Sequence, residues 1–172
     1  MSAGSLKLTE AGTLVSTIAM SGGSMDADES LSVSGALTHS GNIEIDVATG
    51  KTLTYSGAAV NLGAKTLTLS GGGTLSNTNA LVLNNTSSKL LLDSITVDRV
   101  STTSDSLGVD VDNASTITSL SVANITPVSI ASGKSLSGGI TVTAGSIKLN
   151  EAGTLASTIS MSGGKLDADE SL

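Results

Sequence analysis

The chain of 172 residues contains no cysteine, no phenylalanine and no tryptophan, and it has a single tyrosine, proline and histidine. Without cysteine it can form neither a disulfide framework nor a thiolate metal site. With a single tyrosine as its only Phe, Trp or Tyr, it has almost none of the side chains that usually fill a wide β-sandwich core and that stack on sugars or bases. Its eight basic residues are scattered and the net charge is −7. These absences argue against nucleic-acid binding.

The residues that remain are mostly small or aliphatic. Hydrophobic residues make up 38% of the chain, and there are 30 serines, 22 threonines and 20 glycines. This composition indicates a narrow aliphatic interior, with small polar residues on the outside of strands and in turns. No apolar run reaches the roughly 18 residues of a membrane span. Residues 1–7 lack the features of a signal peptide, so we expect any export signal to lie outside this sequence.

A duplication is the strongest pattern in the sequence. Residues 2–31 recur at 143–172, shifted by 141 positions, with 23 identities in 30. We predict that 1–172 is a single continuous β-solenoid, that 2–142 is one full repeat unit, and that 143–172 begins the next unit. In such a tandem array each unit packs mainly on its neighbours.

A shorter period lies inside the unit. An aliphatic residue preceded by Ser or Thr recurs every 17–22 residues, at Leu14, Leu31, Leu53, Leu75, Val97, Ile117, Leu136, Leu155 and Leu172. Aliphatic and polar residues also alternate in runs of about five that end in turn residues, which is the pattern of half-buried strands. No stretch has a helical period. We therefore predict an all-β fold, a parallel β-solenoid of about eight coils of about 20 residues, in preference to a compact sandwich.

Three phrases in the chain resemble the β-helical passenger regions of bacterial autotransporters and filamentous-haemagglutinin-like adhesins. They are ATGKTLT at 48–54, LGAKTLTLSGG at 62–72 and ASGKSL at 131–136. The resemblance implies a right-handed parallel β-helix, an extracellular or bacterial cell-surface location, and a role as stalk, filament or adhesive surface. These families share no catalytic motif, so the resemblance assigns no site residue.

Acidic residues are the only candidate metal ligands, and they occur in a cluster that the duplication repeats. The two copies are Asp26, Asp28 and Glu29, and Asp167, Asp169 and Glu170. Carboxylate oxygens are typical Ca²⁺ ligands. A solvated turn explains the same residues without a metal, and the glycine-aspartate nonapeptide of calcium-binding β-rolls is absent. We therefore predict no metal site, with these residues as the weak Ca²⁺ candidates.

Pairs of the form Thr-x-Thr begin at Thr52, Thr66, Thr116 and Thr141. Regular threonine ladders resemble those of ice-binding solenoids. Such a surface needs one pair per coil on one flat face, whereas these four pairs are unevenly spaced. The spacing therefore predicts ordinary exposed strand threonines.

Three further patterns do not assemble into a site. Residues 50–52, Gly-Lys-Thr, lack the earlier glycine and the following helix of a P-loop, and predict a turn. His39 has no cysteine partner and no evident Ser and Asp constellation. Asp98 beside Arg99 is the nearest approach to the groups of polysaccharide-cleaving β-helices, but it has few supporting residues. We predict no enzyme and no cofactor.

The function that these patterns predict is structural. We expect a repeat segment of a bacterial extracellular fibre or cell-surface adhesin that acts as a rigid stalk or an adhesive surface. The expected partners are neighbouring repeats or other copies of the chain, together with a host or matrix ligand where the surface is adhesive. Two alternatives are a self-assembling filament subunit that stacks end to end, and a polysaccharide-binding or polysaccharide-cleaving β-helix.

Overall fold

A computed structural model of the protein describes residues 4–150 and 153–168. These residues contain 21 β-strands and no helix, and every ladder between named strands is parallel. The strands stack in about eight turns of roughly 20 residues, which confirms the prediction of a parallel β-solenoid built from stacked coils. None of the described residues forms a helix that could cross a membrane.

The first sheet takes one strand from each successive coil. In stacking order its nine strands are β1 (Ser5–Leu8), β4 (Ser24–Ala27), β7 (Ile43–Val47), β10 (Thr66–Ser70), β13 (Lys89–Leu92), β15 (Gly108–Val111), β17 (Ile125–Ile130), β19 (Ser146–Leu149) and β21 (Lys165–Ala168). Each strand hydrogen-bonds to the strands of the coils before and after it, so among these nine only the first and last have an open edge.

The second sheet lies on another side of each coil. Its strands are β2 (Thr13–Leu14), β5 (Leu31–Val33), β8 (Thr52–Tyr55), β11 (Thr74–Asn77), β14 (Thr96–Thr102), β16 (Ser115–Val122), β18 (Ser135–Val142) and β20 (Thr154–Met161). In β14 and β16 two consecutive residues point outward, at 98–99 and 118–119. The strands bend there and continue onto a third face.

The third face is less regular than the two sheets. It contains the pair β3 (Ile18–Met20) and β6 (Leu37–His39), then β9 (Val60–Asn61) and β12 (Leu81–Leu83), of which β12 pairs with the C-terminal half of β14. Among the described strands no ladder joins β6 to β9. The hydrogen bonding of the third face is therefore interrupted between the second and third coils.

The core is a set of stacked aliphatic rows. Alternate residues of each strand point inward, and because successive strands are in register, like side chains lie above one another about 4.8 Å apart. One such row of the second sheet contains Leu31, Leu53, Leu75, Val97 and Ile117. All five are at most 7% exposed. The only ring of the chain outside histidine, that of Tyr55, is also buried, with 4% of its surface exposed.

The nine aliphatic residues that recur once per coil in the sequence, here called the predicted anchors, follow this row with two exceptions. The five residues of the row were all anchors, and Leu136 and Leu155 also pair directly. Leu14 instead pairs with Val33, and Ile117 pairs with Gly138 next to a bulge. Gly138 has a φ of +120°, and a Cβ there would collide with the carbonyl of Ile117, so glycine is required. Both offsets are two residues, which leaves the inward face unchanged.

The two copies of the duplicated segment occupy opposite ends of the stack. Residues 5–27 form its first strands, and 146–168 form its last. β17 pairs with β19 and β18 pairs with β20, so both sheets continue past residue 142 into the second copy without an intervening linker.

Candidate functional surfaces

Hydroxyl side chains form two parallel ranks on the outside of the second sheet. Neighbours in each rank are register partners or hydrogen-bonded residues of successive coils. The first rank is Ser30, Thr52, Thr74, Thr96, Thr116 and Ser137. The second rank is Thr13, Ser32, Thr54, Ser76, Asp98 and Thr118. Coils two to six each place one residue in both ranks, and we call this surface the hydroxyl face.

The hydroxyls at the centre of the hydroxyl face have no hydrogen-bond partner among the described residues. Among the described residues, the side chains of Thr52, Thr74 and Thr96 make no hydrogen bond. At the C-terminal end of the first rank, Thr116 and Ser137 share a hydrogen bond of 2.7 Å. The free hydroxyls must therefore complete their hydrogen bonds with solvent or with a ligand.

Asp98 is the one charged residue in the two ranks. Its carboxylate accepts hydrogen bonds from Ser76, at 2.7 Å, and from Thr118, at 3.3 Å. The sequence search for Thr-x-Thr pairs missed the hydroxyl face because serine or aspartate replaces threonine in several coils. Counting any hydroxyl pair around the predicted anchors Leu31, Leu53, Leu75 and Ile117 would have found it.

Carboxylates concentrate instead on the outside of the first sheet. Lys7, Asp26, Asp46 and Ser70 occupy one register row there. The Ser70 hydroxyl is within hydrogen-bonding distance of Glu44, at 2.8 Å, and of Asp46, at 2.9 Å. In the part of the chain that the structure describes, no three Asp, Glu or His side chains are grouped closely enough to hold a metal ion.

The candidate Ca²⁺ ligands that the structure describes are engaged with lysines or hydroxyls. Asp28 pairs with Lys7 at 2.9 Å, and Glu29 pairs with Lys51 at 2.6 Å. The hydrogen bond to Asp28 raises the pKa of the Lys7 ammonium. The remaining candidates are Asp26, which accepts from the Ser5 hydroxyl, Asp167, which pairs with Lys165 at 3.0 Å, and Asp169 and Glu170, which lie outside the described residues.

The residues considered for catalysis are not brought together. His39 lies in the second coil, where its Nδ1 is 3.1 Å from the carbonyl oxygen of Gly41 and its Nε2 is buried without a partner. Asp98 and Arg99 lie in the fifth coil, three coil spacings or about 14 Å further along the stack. This distance is too long for direct proton transfer between His39 and Asp98.

Apolar residues are exposed on the last described strands of the stack, β20 and β21. Met161 is 45% and Leu166 is 41% exposed there, whereas their duplicated counterparts Met20 and Met25 are each 2% exposed. The sequences of the two copies are nearly the same. The burial differs because a further coil stacks on the strands of Met20 and Met25, and no described residue stacks on the last coil.

No protein-family model matches the chain, and no curated protein or solved structure matches it. Its function is therefore inferred from its surfaces and its stacking geometry.

Proposed function

We propose that this chain is a structural repeat segment of a bacterial extracellular fibre or cell-surface adhesin, in which it provides a rigid stalk or an adhesive surface. The observation that carries the proposal is the unbroken core at the repeat boundary. Ile147 and Leu149, the first inward residues of the second copy, are 0% and 1% exposed because β17 and β21 pack on either side of them. Successive units that stack in this way share one core instead of folding as separate beads.

Shared burial makes the array stiff. Burying a Leu or Ile side chain is worth about 2 kcal/mol, so separating two units at the boundary would expose several such side chains and break two ladders of backbone hydrogen bonds. Two units joined by a flexible linker could bend relative to each other without losing buried side chains or backbone hydrogen bonds. An array of such units suits a structural role in which the two ends of the array must stay a fixed distance apart.

The extracellular location in this proposal rests on sequence features. The phrases at 48–54, 62–72 and 131–136 resemble those of surface-exposed bacterial β-helices, and the chain has no cysteine. Antibodies against the purified chain test this directly on cells of the source organism. Labelling of intact cells, lost after mild external proteolysis, is the expected result. Labelling only after permeabilisation would contradict the surface location.

A second candidate function is end-to-end assembly, because the start of a repeat unit stacks in register on the preceding coil at the internal boundary, and the same contact between two chains would join them. A second copy that stacks on the last described strands would cover Leu166 and continue the first sheet. Leu166→Glu places a charge in that contact. Leu107→Glu is a matched control, because Leu107 is 54% exposed but lies away from both ends.

Light scattering across a concentration series separates the two functions. End-to-end assembly predicts a mass that grows with concentration, a loss of that growth in Leu166→Glu, and no such loss in Leu107→Glu. A constant monomer mass for the unsubstituted chain would rule out assembly and leave the stalk function unaffected.

A further inference from the structure

Charge is distributed unevenly over the outside of the solenoid. Over five consecutive coils the two ranks of the hydroxyl face hold nine Ser or Thr residues and one charged group, Asp98. Over the same five coils the first sheet carries five charged residues on its outer side, Asp26, Glu44, Asp46, Lys89 and Asp110, of which Lys89 and Asp110 form an ion pair. The hydroxyl face is therefore suited to an uncharged partner, and its in-register strands repeat the two ranks at one spacing.

The spacing of the hydroxyls is close to a spacing in ice. Neighbouring strands lie about 4.8 Å apart, which sets the separation of successive hydroxyls in a rank. Water molecules joined by hydrogen bonds of about 2.75 Å at the tetrahedral angle place second-neighbour oxygens about 4.5 Å apart. The mismatch is about 0.3 Å between neighbouring coils, which lies within the ~0.5 Å range of O–H···O hydrogen-bond lengths, and it grows to about 1.5 Å from Ser30 to Ser137.

The hydroxyls are also held rigidly. Each central strand of the rank is bonded to a strand on both sides, and the β-branched threonine side chain has restricted rotation about χ1. Thr52, Thr74 and Thr96 have no internal hydrogen-bond partner among the described residues, so their donors and acceptors remain for water. Each threonine also carries a methyl group, so the face combines fixed polar points with small apolar ones.

We propose that the hydroxyl face binds ice. A fixed grid of hydroxyls can complete the hydrogen bonds of water molecules at the surface of the crystal without first losing side-chain entropy. A crystalline polysaccharide is also flat and uncharged, but the described face offers no aromatic ring on which a sugar could stack. This inference goes beyond the stalk role and does not depend on it.

Asp98 interrupts the hydroxyl face, because it places a carboxylate where the other coils have Ser or Thr. Its carboxylate is strongly hydrated and accepts the hydrogen bonds of the Ser76 and Thr118 hydroxyls. Asp98→Thr restores the second rank through the fifth coil and removes the charge. This substitution is expected to strengthen ice binding, whereas a charge placed elsewhere in the ranks is expected to weaken it.

Partition into slowly grown ice tests the proposal. A dilute solution is partly frozen, and the protein in the ice and in the remaining liquid is measured. The unsubstituted chain is expected in the ice, Asp98→Thr is expected there in a larger fraction, and the pair Thr74→Lys with Thr96→Lys is expected to be excluded. Thr68→Lys is the matched control on the first sheet and is expected to remain in the ice. Circular dichroism establishes that each variant is folded.

Three outcomes would overturn the proposal. One is exclusion of the folded, unsubstituted chain from ice. Another is an equal loss of ice binding in Thr68→Lys, which would show that the hydroxyl face is not involved. The third is binding to crystalline cellulose together with exclusion from ice, which would identify a polysaccharide-binding face instead. None of these outcomes bears on whether the chain is a rigid stalk.

Discussion

At the scale of single residues, Tyr55 substitutes for a missing strand pair. Its hydroxyl accepts a hydrogen bond from the backbone N–H of Leu37, at 3.0 Å, and donates one to the carbonyl of Ala58, at 2.8 Å. These bonds fall where the third face has no ladder between β6 and β9. A single side chain therefore satisfies one backbone group of the second coil and one of the third.

Tyr55→Phe removes the hydroxyl and keeps the ring. We expect the free energy of unfolding to fall by about 1–3 kcal/mol, because the buried N–H of Leu37 loses its acceptor. Urea denaturation followed by circular dichroism measures this. Ser56→Ala, at the exposed neighbouring position, is the control and should change the free energy by less than about 0.5 kcal/mol. An unchanged stability in Tyr55→Phe would show that another group, such as water, satisfies Leu37.

The sequence patterns do not predict where a polar residue takes an inward position that is usually aliphatic. Asn77 is 1% exposed and stands in the row of Tyr55, where its amide bonds the backbone of Asp98 and Arg99. Leu75 is the only aliphatic residue in this strand, so the alternation of aliphatic residues does not predict β11. The amide of Asn77 satisfies the backbone at the bend of β14, which is a requirement of three-dimensional packing and leaves no periodic signal.

At the scale of strands and coils, the duplication offers a matched pair of substitutions. Leu8 and Leu149 are copies in equivalent strands, yet Leu8 is half-buried in the first strand whereas Leu149 is 1% exposed. We expect Leu149→Ala to lower the free energy of unfolding by about 2–5 kcal/mol, and Leu8→Ala by less than half as much. Denaturant titration of both variants measures the difference. Equal losses would contradict the account that neighbouring coils supply the burial.

The strand pattern was predictable because period-two alternation follows directly from the geometry of a half-buried strand. Most aliphatic pairs, such as Ile43 with Ile45 and Leu90 with Leu92, lie in strands of the structure. Register was less predictable. Turn lengths differ between coils, and an offset of two residues, as between Leu14 and Val33, keeps the same side chains inward. The sequence alone therefore does not choose between the two alignments.

At the scale of the whole molecule, the solenoid separates its surfaces by chemistry. The outer side of the first sheet carries carboxylates, and the outer side of the second sheet carries hydroxyls. The acidic residues were visible in the sequence as local clusters. The hydroxyl face is not a local cluster, because successive members of each rank are separated in the sequence by a whole coil and become neighbours only when the coils stack in register. Only the coil period around the predicted anchors relates them to one another in the sequence.

The shared core across the repeat boundary is the central claim, and small-angle X-ray scattering tests it most directly. The chain is compared with a version lengthened by one further repeat unit, a copy of 2–142. The stack advances seven coils per unit, so we predict a rod about 34 Å longer with an unchanged cross-section. A wider particle, or two globules joined by a flexible connection, would contradict the claim that successive units form one continuous solenoid.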